Sequence, residues 1–325
     1  MKIQFNLLLL LFLGNLSFGQ TKFKADTSQW IMYIINRDTM WIPKETPFDV
    51  AMKNGDYEKA IELMKNTLKT NPYNQFNSYN LACAYALAGN KDSSFYFLQQ
   101  SRKTDTTLIF LSDPDFYSLI YDPRWEKLKQ DQVNEYEKRN GKLKNRGLTL
   151  KLMEMRIKDQ AFYRPSQLIE SKFGIRKNQQ DSLSRLYQPL WDNNLKELKI
   201  IIQHIGWPII SEVGRSAALT AFLIIQHSDY DTQKMYEPMM EAAANKGEAN
   251  WSELALLIDR IRIHENKPQL YGSQVKFNET TKQYEPEPID DESNLDLRRS
   301  KVGLGTAASY YSNWKIKYTV KQNKD

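Results

Sequence analysis

SAALTAFLIIQHSD, residues 216–229, decides how the second half of the chain folds. From Ala217 to Ile225 it carries a single hydroxyl, Thr220, and no charge on any side. A helix that is apolar all round has no face to offer water, so it belongs at the centre of its domain. Amphipathic segments flank it: LTLKLMEMRIKDQAFYR (148–164), DSLSRLYQPLWDNNLKELKIIIQHIG (181–206), QKMYEPMMEAAANKG (233–247) and WSELALLIDRIRIHEN (251–266). In the second of these, Leu195, Leu198, Ile201, Ile202 and Ile205 fall at helical spacing, Pro189 is the place for a bend, and Gly206-Trp207-Pro208 is the stop. YGSQVKFNETTKQYEPEPI (271–289) alternates polar and apolar residues around NETT, which predicts one β-hairpin. The expected class is mainly all-α.

Composition agrees. At 325 residues the chain suits two domains of roughly 150 each. With 41% hydrophobic and 26% charged residues it can bury a core, and 13 glycines with 12 prolines are too few for an all-β protein of tight turns. The single cysteine, Cys83, excludes an intrachain disulfide and a cysteine-based metal cluster. Forty-five Lys and Arg against 39 Asp and Glu leave +6, a modest, scattered surplus that does not call for nucleic acid. The aromatics, 12% of residues, stand at repeat and core spacings and are read as packing.

The N-terminus, MKIQFNLLLLLFLGNLSFGQ, has Lys2 ahead of an apolar run from Leu7 to Leu13. Small residues at Ser17 and Gly19 then mark a signal peptide (1–19) cleaved before Gln20. The run is shorter than the ~20 residues that span a bilayer, and no longer apolar stretch comes after it. The expectation is an exported protein, periplasmic or secreted, with no membrane span. Residues 20–43 contain QWIMYIINRDTMWIP (29–43), which fits a hairpin or a short helix equally.

Gly55 and Gly89 lie 34 residues apart, as do Ala60 and Ser94, Met64 and Leu98, and Asn71 and Asp105. The segments GDYEKAIELMKNTLKTNP (55–72) and NSYNLACAYALAGNKDSSFYFLQQS (77–101) resemble tetratricopeptide repeats, whose period is 34. Ala82, Ala84 and Ala86 let two helices approach closely, and the two glycines stand where a left-handed turn leaves a helix. DPDFYSLIYDPRWEKL (113–128) would close the stack with Phe116, Leu119, Trp125 and Leu128. The resemblance implies a protein or peptide partner, or a purely structural module. Cys83, set among small and aromatic residues, reads as a buried, inert thiol. The layout expected is a repeat stack over 44–133, a basic connector over 134–147, a helical domain over 148–312 and a tail over 313–325.

A second resemblance covers residues 148 to 310. DQAFYR (159–164), GWP (206–208), QHSD (226–229), DR (259–260), KPQLYGSQ (267–274) and PIDD…LDLRR…VGL (288–304) occur in the order of an uncharacterised bacterial domain family. Ser273 stands where that family leads one to expect Thr, which keeps the hydroxyl. The resemblance implies which positions to watch and no reaction.

Those positions have a physical logic. Asp259 lies between Leu256 and Ile263 at helical spacing and so faces inward, where a carboxylate needs a partner. His227, Arg164, Arg298 and Arg299 are the candidates. One reading is a ligand pocket with His227 as general acid or base, oriented by Asp259, and Arg260 or Arg164 for an anionic group. Gln226, Tyr271 and Gln274 would position the ligand, and Asp159, Gln160, Gln269, Arg298 and Arg299 complete the set. The other reading is structural: His227 caps a helix end and Asp259 pairs with an arginine to fix how two helices meet. His204 and His264 end their own helices and are read as structural. Zinc on His227, His264 and Asp259 is allowed by residue type, but no HExxH-like pair supports it, so no metal or cofactor is expected. No phosphate-binding glycine loop or GxSxG elbow is present. Two functions remain open: an exported binding or scaffolding protein with a polar pocket in its C-terminal domain, or a hydrolase acting on a small or envelope-derived substrate through His227 and Asp259.

Overall fold

A computed structural model describes residues 46–71, 75–103, 107–173 and 177–320. The expected signal peptide and the stretch 20–43 lie outside the described residues. The class is mainly all-α, as the periodicity predicts, with one two-stranded sheet among the described residues. The chain divides into two compact units: residues 43–224, and a unit whose described residues are 225–320.

The first unit opens with α1 (Pro47–Asn54), α2 (Tyr57–Thr70), α3 (Gln75–Leu87) and α4 (Lys91–Ser101). Local chemistry sets each start. Thr46 and Asp49 form a reciprocal capping box on α1. Asp56 caps α2 and Asn90 caps α4, each after a left-handed glycine, Gly55 at φ 71° and Gly89 at φ 80°. The cap-and-glycine pair thus recurs at the 34-residue spacing. α3 packs against both α2 and α4. Ala82 and Ala84 are wholly buried, and the close approach lets the Ser94 hydroxyl donate to the Ala82 carbonyl at 2.7 Å.

Two 3-10 turns come next, Ile109–Ser112 and Pro114–Phe116, and then α5 (Pro123–Asn140), capped by Asp122 with proline in its first turn. Phe116, Leu119, Trp125 and Leu128 are all buried beneath them. The unit continues with α6 (Arg146–Gln160), α7 (Tyr163–Phe173), α8 (Lys177–Ile205, running through Pro189), the short α9 (Ile210–Val213) and α10 (Arg215–Gln226). The apolar α10 is buried on nearly every side, with Ala217, Ala221 and Phe222 fully enclosed. Gly55 has a second reason to be glycine: a Cβ there would stand 2.4 Å from Leu168 of α7.

The second unit holds α11 (Tyr230–Asn245), α12 (Trp251–His264), strands β1 (Val275–Asn278) and β2 (Gln283–Pro286), α13 (Leu295–Lys301) and α14 (Ala307–Ser312). The strands are antiparallel, with Phe277 opposite Tyr284 and their rings 5.3 Å apart. Asn278 folds the turn by accepting from the N–H groups of Thr280 and Thr281. A small core of Val275, Leu295, Ala307 and Tyr311 seats the hairpin on α13 and α14.

A half-buried polar network in the first unit joins the helical stack to α7. The Tyr79 hydroxyl donates to Asp113 at 2.5 Å, Asp113 accepts from the N–H of Asp115, and Arg164 grips Asp115 through two bonds of 2.8 and 3.1 Å. Burial, reinforced by the Asp115 charge, pushes the Asp113 carboxyl up to about 6 against the pull of the Tyr79 hydroxyl. Cys83 lies in the same region; burial pushes its thiol well up, as befits an inert sulfur. A carboxyl whose folded pKa exceeds its ordinary 3.8 stabilises the fold most while protonated, and that contribution is lost as pH rises through about 6. Asp113→Asn should therefore flatten the pH dependence of stability between about 4 and 6, by about 2–3 kcal/mol across the window. Urea unfolding at the two ends of that window measures it, and parallel pH profiles for both proteins would contradict the assignment.

Candidate functional site

Asp259 stands on α12, which is buried on both faces: Ala255 and Leu256, one turn earlier, share the side of Asp259, and Leu254, Leu257 and Ile261 fill the opposite one, so the carboxylate has zero exposure. Its partners are not side chains of the candidate set. The N–H groups of Leu270 and Tyr271 donate to Oδ1 at 2.7 and 2.9 Å, and the N–H of Ser273 donates to Oδ2 at 2.9 Å. The Tyr271 N–H also lies 3.2 Å from Oδ2. Burial pushes this carboxyl up, while the N–H donors at 271, 273 and 270 pull it back toward the ionised form. The inward orientation follows the helical spacing. The expected arginine or histidine partner is replaced by main chain, joined by the Ser273 hydroxyl.

The same loop is gripped on its carbonyl side. Arg298 Nε donates to the Leu270 carbonyl at 2.8 Å, and Arg298 also reaches the carbonyl of Asp290 and the carboxylate of Asp291. Arg299, only 1% exposed, donates to the carbonyls of Tyr271 and Gly305 and lies 4.9 Å from the Tyr310 ring centre. Burial lowers its guanidinium pKa. The Tyr310 hydroxyl holds the Ser273 carbonyl at 2.8 Å. Gln269 is fully buried and behaves as a main-chain surrogate: its Oε1 accepts from the Gln274 N–H, and its Nε2 donates to the carbonyls of Gln274 and Glu287. Gln274 in turn donates to the Ser273 hydroxyl. Gly272 sits at φ 62°, and a Cβ there would meet the Tyr311 hydroxyl at 2.8 Å.

Gln226 is also enclosed. Its carbonyl accepts from Arg260 Nη1 at 2.5 Å and from Gln233 Nε2 at 3.1 Å, while its own Oε1 is buried without a partner. His227 is half-buried just after α10. Tyr271 keeps a half-buried ring, its phenol pushed up first by burial and then by the Asp259 charge. His264 is exposed with its ring 5.6 Å from that of Tyr230, and His204 is exposed with Nδ1 2.7 Å from the Ile200 carbonyl.

The remaining candidates belong to the first unit. Asp159 is buried and accepts from Gln160 at 2.5 Å, its carbonyl receives the Trp191 indole N–H, and Arg164 is engaged by Asp115. So Gln226, His227, Asp259, Arg260, Gln269, Tyr271, Gln274, Arg298 and Arg299 share one unit, and Asp159, Gln160 and Arg164 share the other. Tyr310 and the acid pair Asp113 and Asp115 escape a reading of the sequence alone. Two carboxylates flanking Pro114 inside an apolar stretch are the signal that points to the latter.

Among the described residues, no group of three or more His, Cys, Asp or Glu side chains gathers closely enough to hold a metal ion. No helix among them is long and apolar enough to cross a membrane. Two open grooves of about 810 and 730 Å³ lie on the helical stack, lined by residues between Thr46 and Arg124. None of the candidate side chains lines either groove.

Comparison with known proteins adds one finding. Residues 147–323 match the model of a family of unknown function, DUF6624, over more than half of the chain, and the chain belongs to that family. No curated protein and no solved structure matches it.

Removing the anchor should unfasten the loop. Asp259→Ala leaves the N–H groups of residues 270, 271 and 273 buried without an acceptor, and we expect a loss of about 3 kcal/mol in urea unfolding. A loss under about 1 kcal/mol would mean that the carboxylate does not hold the loop.

Proposed function

We propose that this member of the family is an exported binding protein. Its helices over 44–133 act as a tetratricopeptide-type stack that holds a protein or peptide partner. Its C-terminal domain presents a polar pocket of its own, around Tyr271 and Arg298. The observation that carries the reading is the contrast between closed and open polar groups. Asp259 has both oxygens engaged by main-chain N–H groups, whereas the grooves open to solvent lie on the stack. A hydrolase working through His227 would need an Asp259 oxygen for the imidazole.

The repeat reading is supported by the recurrence of the cap at Asp56 and Asn90, each after a left-handed glycine. Export is supported by Lys2, the Leu7–Leu13 run and the small residues Ser17 and Gly19. N-terminal sequencing of the protein from the envelope or medium should begin at Gln20, and a chain retained in the cytoplasm with Met1 intact would overturn the export half. For the binding half, a photo-crosslinking amino acid replaces Lys91 in the full chain inside the producing cell, with Lys282 in the hairpin turn as control. A discrete heavier adduct is expected from position 91 and none from 282. The absence of adducts at 91 with adducts at 282 would move the binding surface off the stack.

A further inference from the structure

The larger groove has chemistry of its own, and the assignment of its ligand rests on the stack being a binding module. The buried Ile61 and Tyr85 lie at its base, and its predominantly polar lining carries Lys65, Lys91 and Arg124 against Glu58 and Asp92. These charges are not equally available. Arg124 donates to Asp122 and to Asp92 at 2.6–2.9 Å and lies 4.3 Å from the Phe95 ring centre, so its charge is already matched. Lys65 and Lys91 make no ion pair among the described residues. The Lys65 ammonium stands 5.5 Å above the Tyr85 ring. That ring is itself fixed by near-parallel stacking on Phe97, at 5.6 Å and 8°. Glu58 is the one rim carboxylate not matched by Arg124. It stands two helical turns before Lys65 on α2, roughly 10 Å away along the axis.

The groove therefore combines a mostly polar lining, an immobilised aromatic ring at its base and two ammonium groups that make no ion pair among the described residues. From this charge complementarity we infer that it takes an acidic peptide segment in which carboxylates alternate with apolar side chains. The carboxylates face Lys65 and Lys91, and the apolar side chains lie on Tyr85 and Ile61. The open Gly89 turn, where a Cβ would meet nothing within 4 Å, leaves room for main chain to pass.

The test uses the full-length protein and fluorescein-labelled octapeptides of alternating Glu and Leu, Gln and Leu, or Lys and Leu, read by fluorescence anisotropy. The Glu peptide should bind best, and added salt should weaken it. The double variant Lys65→Glu, Lys91→Glu should bind it roughly ten-fold more weakly, while Lys65→Arg, Lys91→Arg and the control Lys282→Glu keep wild-type affinity. An unchanged thermal melt shows that the double variant is folded. Equal binding of the Glu and Gln peptides, or no loss in the folded double variant, overturns the assignment. No binding of any peptide, alongside crosslinked adducts from position 91, overturns the acidic ligand while leaving the stack a binding module.

Discussion

The second unit depends on a loop whose main chain is held on its N–H side by a buried carboxylate and on its carbonyl side by two arginines. Asp259 takes the N–H groups of residues 270, 271 and 273, while Arg298 and Arg299 take the carbonyls of 270 and 271. The 270–271 peptide thus lies between a buried carboxylate and a guanidinium, Tyr271 N–H on Asp259 and Leu270 carbonyl on Arg298, the arrangement in which charge-assisted bonds reinforce one another. Neither charge could sit in the interior alone. The main chain between them makes the pair tolerable without direct contact. That constraint explains why a DR step at 259 and an RR step at 298 belong to one constellation, with a glycine between them at a position where no Cβ fits.

Around this loop the remaining polar residues act as struts. Gln269 replaces a strand partner, linking 274 and 287 beside the hairpin, and its own main chain pairs with the stretch 288–290. Tyr310 closes the last carbonyl. A network so fully engaged is rigid, and rigidity suits a surface that meets a partner. It suits proton transfer less, because an oxygen already accepting two main-chain bonds has little left for an imidazole.

Helix positions were legible because apolar spacing reports them directly: α6, α8, α11 and α12 lie where the amphipathic segments predict, and the hairpin turns at Asn278. The inward orientation of Asp259 was legible for the same reason. Its partner was not, since a backbone N–H has no letter in a sequence, and residue types alone turn attention to histidine and arginine. Arg164 shows the other limit. Its ion pair with Asp115 spans 49 residues and joins a helix of the family region to a turn outside it, and no local pattern encodes such a contact. The grooves of the stack escape a sequence reading because they are set by how α1 to α5 assemble, while Lys65 and Lys91 look like any solvated lysines when read singly.

The meeting of Gly55 and Leu168 has a practical side. The family match begins at residue 147, yet α7 inside it leans on a turn more than a hundred positions earlier and gives its arginine to an aspartate at 115. A fragment cut at the family boundary would bare a leucine and strand a guanidinium. The opening helices of the matched region and the helical prefix before them therefore belong to one compact unit, and the natural place to divide the polypeptide lies elsewhere than the sequence profile suggests.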